Sequence, residues 1–152
     1  MIIPLGERYQ QVFHLFEKQD GKLVATRLQP TLFVPMTGKS EDLRQVQPDP
    51  ANPQIVNAGF EEANTETGRF EHWHYQRRAN VMTNDAPQGQ QYICFDNDEP
   101  GRTAHAIQAF AIDGSLVGAI AVSLKYRATG VRTGRDQTER PSLIVHFYDA
   151  RR

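Results

Sequence analysis

Turn-forming residues dominate this chain: 11 glycines and 9 prolines are scattered through 152 residues, and helical periods are scarce between them. What the punctuation leaves is a set of short runs with strand-like composition. Residues 9–17 (YQQVFHLFE) bring Val12, Phe13, Leu15 and Phe16 close together, and residues 22–34 (KLVATRLQPTLFV) alternate more cleanly. Asp20-Gly21 lies between them and supplies the positive φ that a tight hairpin needs, so the two runs predict a β-hairpin. Pro30 in the second run marks a break or an edge strand, because proline cannot donate to a ladder.

Residues 37–54 (TGKSEDLRQVQPDPANPQ) are polar and carry Pro48, Pro50 and Pro53, a composition that stiffens the chain but buries little. This stretch predicts a linker with one helical turn near Ser40–Val46, capped by Ser40. From Ile55 onward, short strands are expected at Trp73–Arg77, Gln91–Phe95, Ala104–Ile112, Val117–Tyr126 and Leu143–Tyr148. Asp113-Gly114-Ser115 reads as a hairpin-type turn between the third and fourth of these, and Gly130–Pro141 as a polar, Arg-rich loop. Short strands at such spacing indicate an antiparallel β-sandwich.

Composition narrows the function classes. Seventeen Lys and Arg against 18 Asp and Glu exclude a globally basic nucleic-acid binder. One cysteine excludes a disulfide framework and a Cys-rich zinc module. No apolar run approaches the roughly 18 residues that a spanning helix needs, and Met1-Ile2-Ile3-Pro4-Leu5-Gly6 does not read as a secretory signal, so a cytoplasmic location is expected.

The usual chemical motifs are missing. There is no G-x-G-x-x-G after a strand, no phosphate-binding G-x-x-x-x-G-K-S/T and no G-x-S-x-G nucleophile. His72-x-His74 has no third ligand nearby, so it reads as a strand face, with Trp73 and Tyr75 looking inward or the reverse. Cys94 within Tyr92-Ile93-Cys94-Phe95 reads as a small buried hydrophobe. Glu61 and Glu62, after Asn57-Ala58-Gly59-Phe60, read from spacing as a solvated acidic turn. Trp73, Tyr75, Gln108, Tyr126 and Arg127 could line one concave face on which a sugar ring stacks, or Trp73 and Tyr75 could serve as core anchors.

Two resemblances add to this reading. Residues 2–38 resemble the C-terminal end of protein-L-isoaspartate O-methyltransferases, carried by Ile2-Ile3-Pro4-Leu5-Gly6, Tyr9-Gln10-Gln11-Val12 and Leu32-Phe33-Val34-Pro35-Met36. The resemblance implies methyl transfer from S-adenosylmethionine to an isoaspartyl carboxylate, followed by succinimide formation and partial return to aspartate. It places Val34 and Pro35 toward the substrate cleft. The family's Gly-rich cofactor loop, acidic ribose-binding position and substrate-facing serine belong upstream of the matched part and have no counterpart here. Residues 55–149 are similar to a galactose-binding-type jelly roll of the carbohydrate-binding-module sort, carried by Asn57-Ala58-Gly59-Phe60-Glu61, Trp73, Gln108–Ile112 and Ala119–Tyr126. That resemblance implies a core Phe60, a Trp73 beneath the sheet, and Glu61 as a ligand of a structural calcium.

The resulting expectation is a mainly-β chain in three parts. Residues 1–38 are terminal strands of an isoaspartyl-methyltransferase-like domain, 39–54 a Pro-rich linker, and 55–152 a β-sandwich binding module. The chain itself is expected to hold no S-adenosylmethionine and to be non-catalytic, with a missing N-terminal methyltransferase core as partner. A carbohydrate or protein ligand is expected for the sandwich, neither nucleic acid nor membrane, and an oligomer formed through an open sheet edge. The competing expectation is a self-standing carbohydrate-binding module.

Overall fold

The structure, a computed structural model, describes residues 1–33, 39, 43, 48–99, 101–136 and 139–149. Their architecture is mainly β, and every strand pairing is antiparallel. The chain opens with a three-stranded meander, β1 (Ile2–Glu7), β2 (Gln10–Gln19) and β3 (Lys22–Thr31), in the order β1-β2-β3. Asp20 (φ 49°) and Gly21 (φ 81°) make the β2–β3 turn, so both central residues are left-handed, as the Asp-Gly pair implies for a hairpin. Pro4 and Pro30 both lie on edge strands, where a missing N–H costs no ladder bond. The register shifts from Val12↔Pro30 to His14↔Arg27, a bulge that leaves Phe13 without a β3 partner.

Alternation and register assign the two faces of this sheet. Ile2, Pro4, Phe13, Leu15 and Val24 share one; Ile3, Leu5, Val12, Phe16 and Leu23 share the other, with Gln10 and Arg27. Both faces are therefore apolar, yet none of these side chains is buried. Ile2 is 59% exposed and Leu23 is 70% exposed, which leaves the sheet without an apolar core of its own.

Three two-stranded sheets follow. β4 (Ala63–Asn64) pairs β5 (Arg69–Phe70), β6 (His74–Arg77) pairs β9 (His105–Ile107), and β7 (Ala79–Met82) pairs β8 (Tyr92–Phe95). The β4–β5 turn is tied by Asn64 Oδ1, which accepts from the N–H groups of Glu66 and Thr67. Phe70, 1% exposed, is the one buried hydrophobic side chain among the described residues. Phe60 meets it edge-on at 5.2 Å and stacks on Trp73 at 4.9 Å. Cys94 is half-buried in β8, opposite Asn80.

Several expected elements differ. The run Ala104–Ile112 contributes only His105–Ile107, while β4, β5 and β7 were not anticipated. Val117–Tyr126 alternates like a strand and Leu143–Tyr148 is a near-continuous apolar run, but neither forms a strand. A strand needs a ladder partner for its backbone N–H and C=O groups, and alternation supplies only the side-chain faces. Both segments are largely exposed, with Leu124, Ile144 and Phe147 each more than half open to solvent. Asp113-Gly114-Ser115 does form a turn: Asp113 Oδ1 accepts from Ser115 N and Oγ, and Leu116 and Val117 donate to Asp113 O. It does not close a hairpin, because its downstream arm is unpaired. Within the stretch expected to be a linker, Leu43 N donates to Lys39 O at 3.1 Å. Ser40 and most of the helical turn expected around it lie outside the described residues.

Candidate functional site

The most elaborate polar arrangement lies where residues 57–76 meet the meander. Asn57 (φ 51°) begins it in a left-handed conformation that asparagine tolerates better than most residues. Its amide donates to Glu62 O and Glu71 O, and its Oδ1 accepts from Glu62 N. The Asn57 carbonyl accepts from Trp73 Nε1 at 3.1 Å. Phe60, His72, Tyr75 and Arg78 also have positive φ, so strained backbone concentrates along this stretch.

Along β6 the faces alternate. His74 and Gln76 point inward, at 1% and 8% exposure, while Tyr75 and Arg77 point outward. The Gln76 amide binds one residue reciprocally: Phe70 N donates to its Oε1 at 2.9 Å, and its Nε2 donates to Phe70 O at 2.7 Å. The same Nε2 reaches Trp73 O at 2.8 Å. Gln76 thus closes the 70–76 turn as a backbone strand would.

The contacts to the meander are also polar. His74 Nε2 lies 3.1 Å from Tyr9 O; a carbonyl can only accept, so Nε2 carries the proton. Nδ1 is then a lone pair, and it is buried without a partner. Burial holds the His74 pKa below its ordinary value, outweighing the opposing effect of the Tyr9 hydrogen bond. His72 Nδ1 meets Gln10 Oε1 at 3.1 Å. Arg27 grips Glu71 with both terminal nitrogens, at 3.1 and 2.8 Å, and this hydrogen bonding holds the Glu71 carboxyl below its usual range. Tyr75 Oη donates to Leu32 O at 2.6 Å. Between the two parts lies a cleft of about 60 Å³, lined by Gln10, Gln11, Val12, Arg27, Pro30 and His72. A shallow depression of about 190 Å³ sits on Thr133, Gly134, Arg135, Asp136 and Arg140. Cofactor sites are typically ~300 Å³ or more, so neither would enclose a nucleotide.

The residues singled out from sequence are dispersed by this arrangement. Trp73 is half-buried against Phe60, and its indole N–H is occupied by Asn57 O. Gln108 accepts from Val56 N and donates to Val56 O and His72 O, so its amide is a clamp within the fold. Tyr75 is 51% exposed with its hydroxyl committed to Leu32. Tyr126 is 82% exposed and Arg127 is exposed, both in the segment that lacks a ladder. Among the described residues, no hydrogen bond or ring contact joins Tyr126 to Trp73, Tyr75 or Gln108. Val34 and Pro35 lie outside the described residues.

Glu61, which the second resemblance implies as a calcium ligand, is engaged in hydrogen bonds. Its oxygens accept from Gln90 N at 3.0 and 3.1 Å and from Gln91 N at 3.3 Å. A carboxylate surrounded by N–H donors is placed for hydrogen bonding, whereas Ca²⁺ requires six to eight converging oxygens. Among the described residues, no group of three or more His, Cys, Asp or Glu side chains could hold a metal ion.

Comparison with known proteins bears on the first of these parts. Residues 1–41 match the protein-L-isoaspartate(D-aspartate) O-methyltransferase family. The match covers about a quarter of the chain and takes in the whole β1–β3 meander. No curated protein and no solved structure matches the chain. Members of that methyltransferase family use S-adenosylmethionine. Among its described residues the methyltransferase-like segment is a strand meander, with no Gly-rich turn into a helix N-terminus that would fit that cofactor. Among the described residues, no helix is long and apolar enough to cross a membrane.

Sequence reasoning overlooked Gln76, Gln10, Arg27 and Glu71. The signal for Gln76 was present: it shares a strand face with His74, so a buried His74 implies a buried Gln76. The contacts of Gln10, Arg27 and Glu71 depend on how two distant segments pack, and no local pattern encodes that.

Proposed function

We propose that this chain is the C-terminal portion of a protein-L-isoaspartate O-methyltransferase, a protein-repair enzyme, in which residues 1–41 complete the sheet of a catalytic core. The observation that carries this reading is the coincidence of the family match with a sheet that carries apolar side chains on both faces and buries none of them, its buried positions being the polar Gln11 and Thr31. A sheet with two apolar faces is suited to cover on both. Residues 71–75 meet it through Arg27, Gln10 and the backbone of Tyr9 and Leu32, which leaves Ile2, Pro4, Phe13, Leu15 and Val24 for a core to cover. The chain by itself is non-catalytic, because no cofactor cradle is encoded in it. Residues 55–149 form an appended β-type binding module, and the whole works in the cytoplasm. The module's ligand is a carbohydrate or a protein.

The test is complementation. A methyltransferase core truncated before its last three strands is mixed with this chain, and methyl transfer to an isoaspartyl peptide is measured. Restored transfer is expected, while the chain alone gives no saturable heat on titration with S-adenosylmethionine. Tight binding of S-adenosylmethionine by the isolated chain, or no rescue of the truncated core, overturns the reading.

A further inference from the structure

We propose that His74 is an acid-sensitive latch that holds residues 57–76 against the methyltransferase-like meander at neutral pH and releases them on protonation. The inference is independent of the function proposed above. The latch is the hydrogen bond from His74 Nε2 to Tyr9 O, which spans 65 residues of sequence. The ring is 1% exposed, and its other nitrogen has no partner. A proton added at Nδ1 would create a buried cation whose new N–H faces no acceptor, and such a charge is costly unless paired.

The surroundings offer it no counter-charge. On the preceding turn stands His72, itself positive when protonated, with Nδ1 on Gln10 and Nε2 3.6 Å from Glu62. On the β1–β2 turn stand Tyr9 and Arg8, whose guanidinium carbon lies 5.8 Å from the Tyr9 ring centroid. On β9, Ile107 is the register partner of His74, and His105 faces Arg77. The adjacent carboxylate, Glu71, is held by Arg27. Among the described residues, His74 forms no ion pair. Burial already disfavours the charged ring, so protonation is satisfied by exposing it, which breaks the bond to Tyr9.

The sign of the pH effect follows. The free ring takes its proton near pH 6.5, the latched ring only at lower pH. Stability of the latched state is complete above pH 6.5 and falls below it, with the opening equilibrium rising up to about tenfold per pH unit until the latched ring also titrates. The whole chain carries one tryptophan, Trp73, directly beside the latch. Its emission and the exchange rates of the residue 9–12 amides, corrected for intrinsic pH dependence, are followed from pH 8 to pH 5. Wild-type protein is expected to show red-shifted emission and faster exchange at residues 9–12 below pH 6.5. His74→Gln keeps an N–H donor for Tyr9 O without a titrating ring and is expected to show neither change. If His74→Gln is already open at pH 8, the wild-type His74 ring resonance decides: titration together with the exchange rates supports the latch, and titration apart from them overturns it. Unchanged wild-type exchange across the range, or the same response in a closed His74→Gln variant, also overturns it.

Discussion

Gln76→Met tests whether a single side-chain amide organises the turn beneath Trp73. Methionine has nearly the volume of glutamine and no hydrogen-bonding amide, so the substitution removes hydrogen bonds with little cavity or overpacking. Three bonds are lost, two of them to the buried N–H and C=O of Phe70 and one to the half-exposed carbonyl of Trp73. A buried backbone group left unsatisfied costs about 1–3 kcal/mol. The Trp73 carbonyl can recover a water, so its loss adds about 0.5–1 kcal/mol. The sum is about 2.5–7 kcal/mol, a large part of the roughly 5–15 kcal/mol that holds a domain folded. At about 2–4 °C per kcal/mol for a chain of this size, the melting midpoint should fall by about 5–28 °C. Urea unfolding followed by Trp73 emission measures this directly, and the midpoint should move without a change in slope. Gln76→Glu separates acceptor from donor. Its carboxylate can still serve Phe70 N but faces two carbonyls, so its folded pKa rises and its stability should improve as pH falls through that raised value. A Gln76→Met penalty below about 1 kcal/mol would refute the assigned role.

Two further predictions concern carboxylates. Glu61→Ala should cost about 1–2 kcal/mol through loss of the Gln90 and Gln91 N–H contacts, equally in excess calcium and in excess chelator; a calcium-dependent rise in the wild-type melting midpoint that the variant lacks would restore the metal reading. Arg27→Ala should cost no more than about 1 kcal/mol, because Arg27 is 46% exposed and solvent screens the pair. Since pairing depresses the Glu71 pKa, that contribution should be present above pH 4.5 and vanish as pH falls through the folded value, as acid titration of wild type and variant will show.

What could be read from the sequence divides by the range of the interactions. Asp20-Gly21 specifies its own turn, and Pro30 its edge position, because each acts through backbone conformation within a few residues. Val117–Tyr126 failed as a strand because pairing needs a second edge, and alternation says nothing of where that edge lies. Trp73 was legible as an aromatic but not as one whose N–H is already spent, since its acceptor lies 16 residues away. The hydrogen bonds of Glu61 were not legible, because the turn at Gly89–Gln91 that brings its amides onto the carboxylate lies far away in sequence. The His74 contact depends on the packing of segments 65 residues apart and has no local signature.

The exposed run Leu143-Ile144-Val145-His146-Phe147-Tyr148 has a consequence for handling. It is a six-residue window without acidic residue, lysine, arginine or proline, rich in β-branched and aromatic side chains, and Ile144, Phe147 and Tyr148 are each 65–70% exposed. Such windows nucleate fibrils when copies stack in register. Arg140 and Pro141 stand before it and Asp149 after it, the positions where gatekeeper residues resist that stacking. Solubility of the purified protein therefore depends on a few charges and one proline at the borders of a segment that contributes no ladder to the fold.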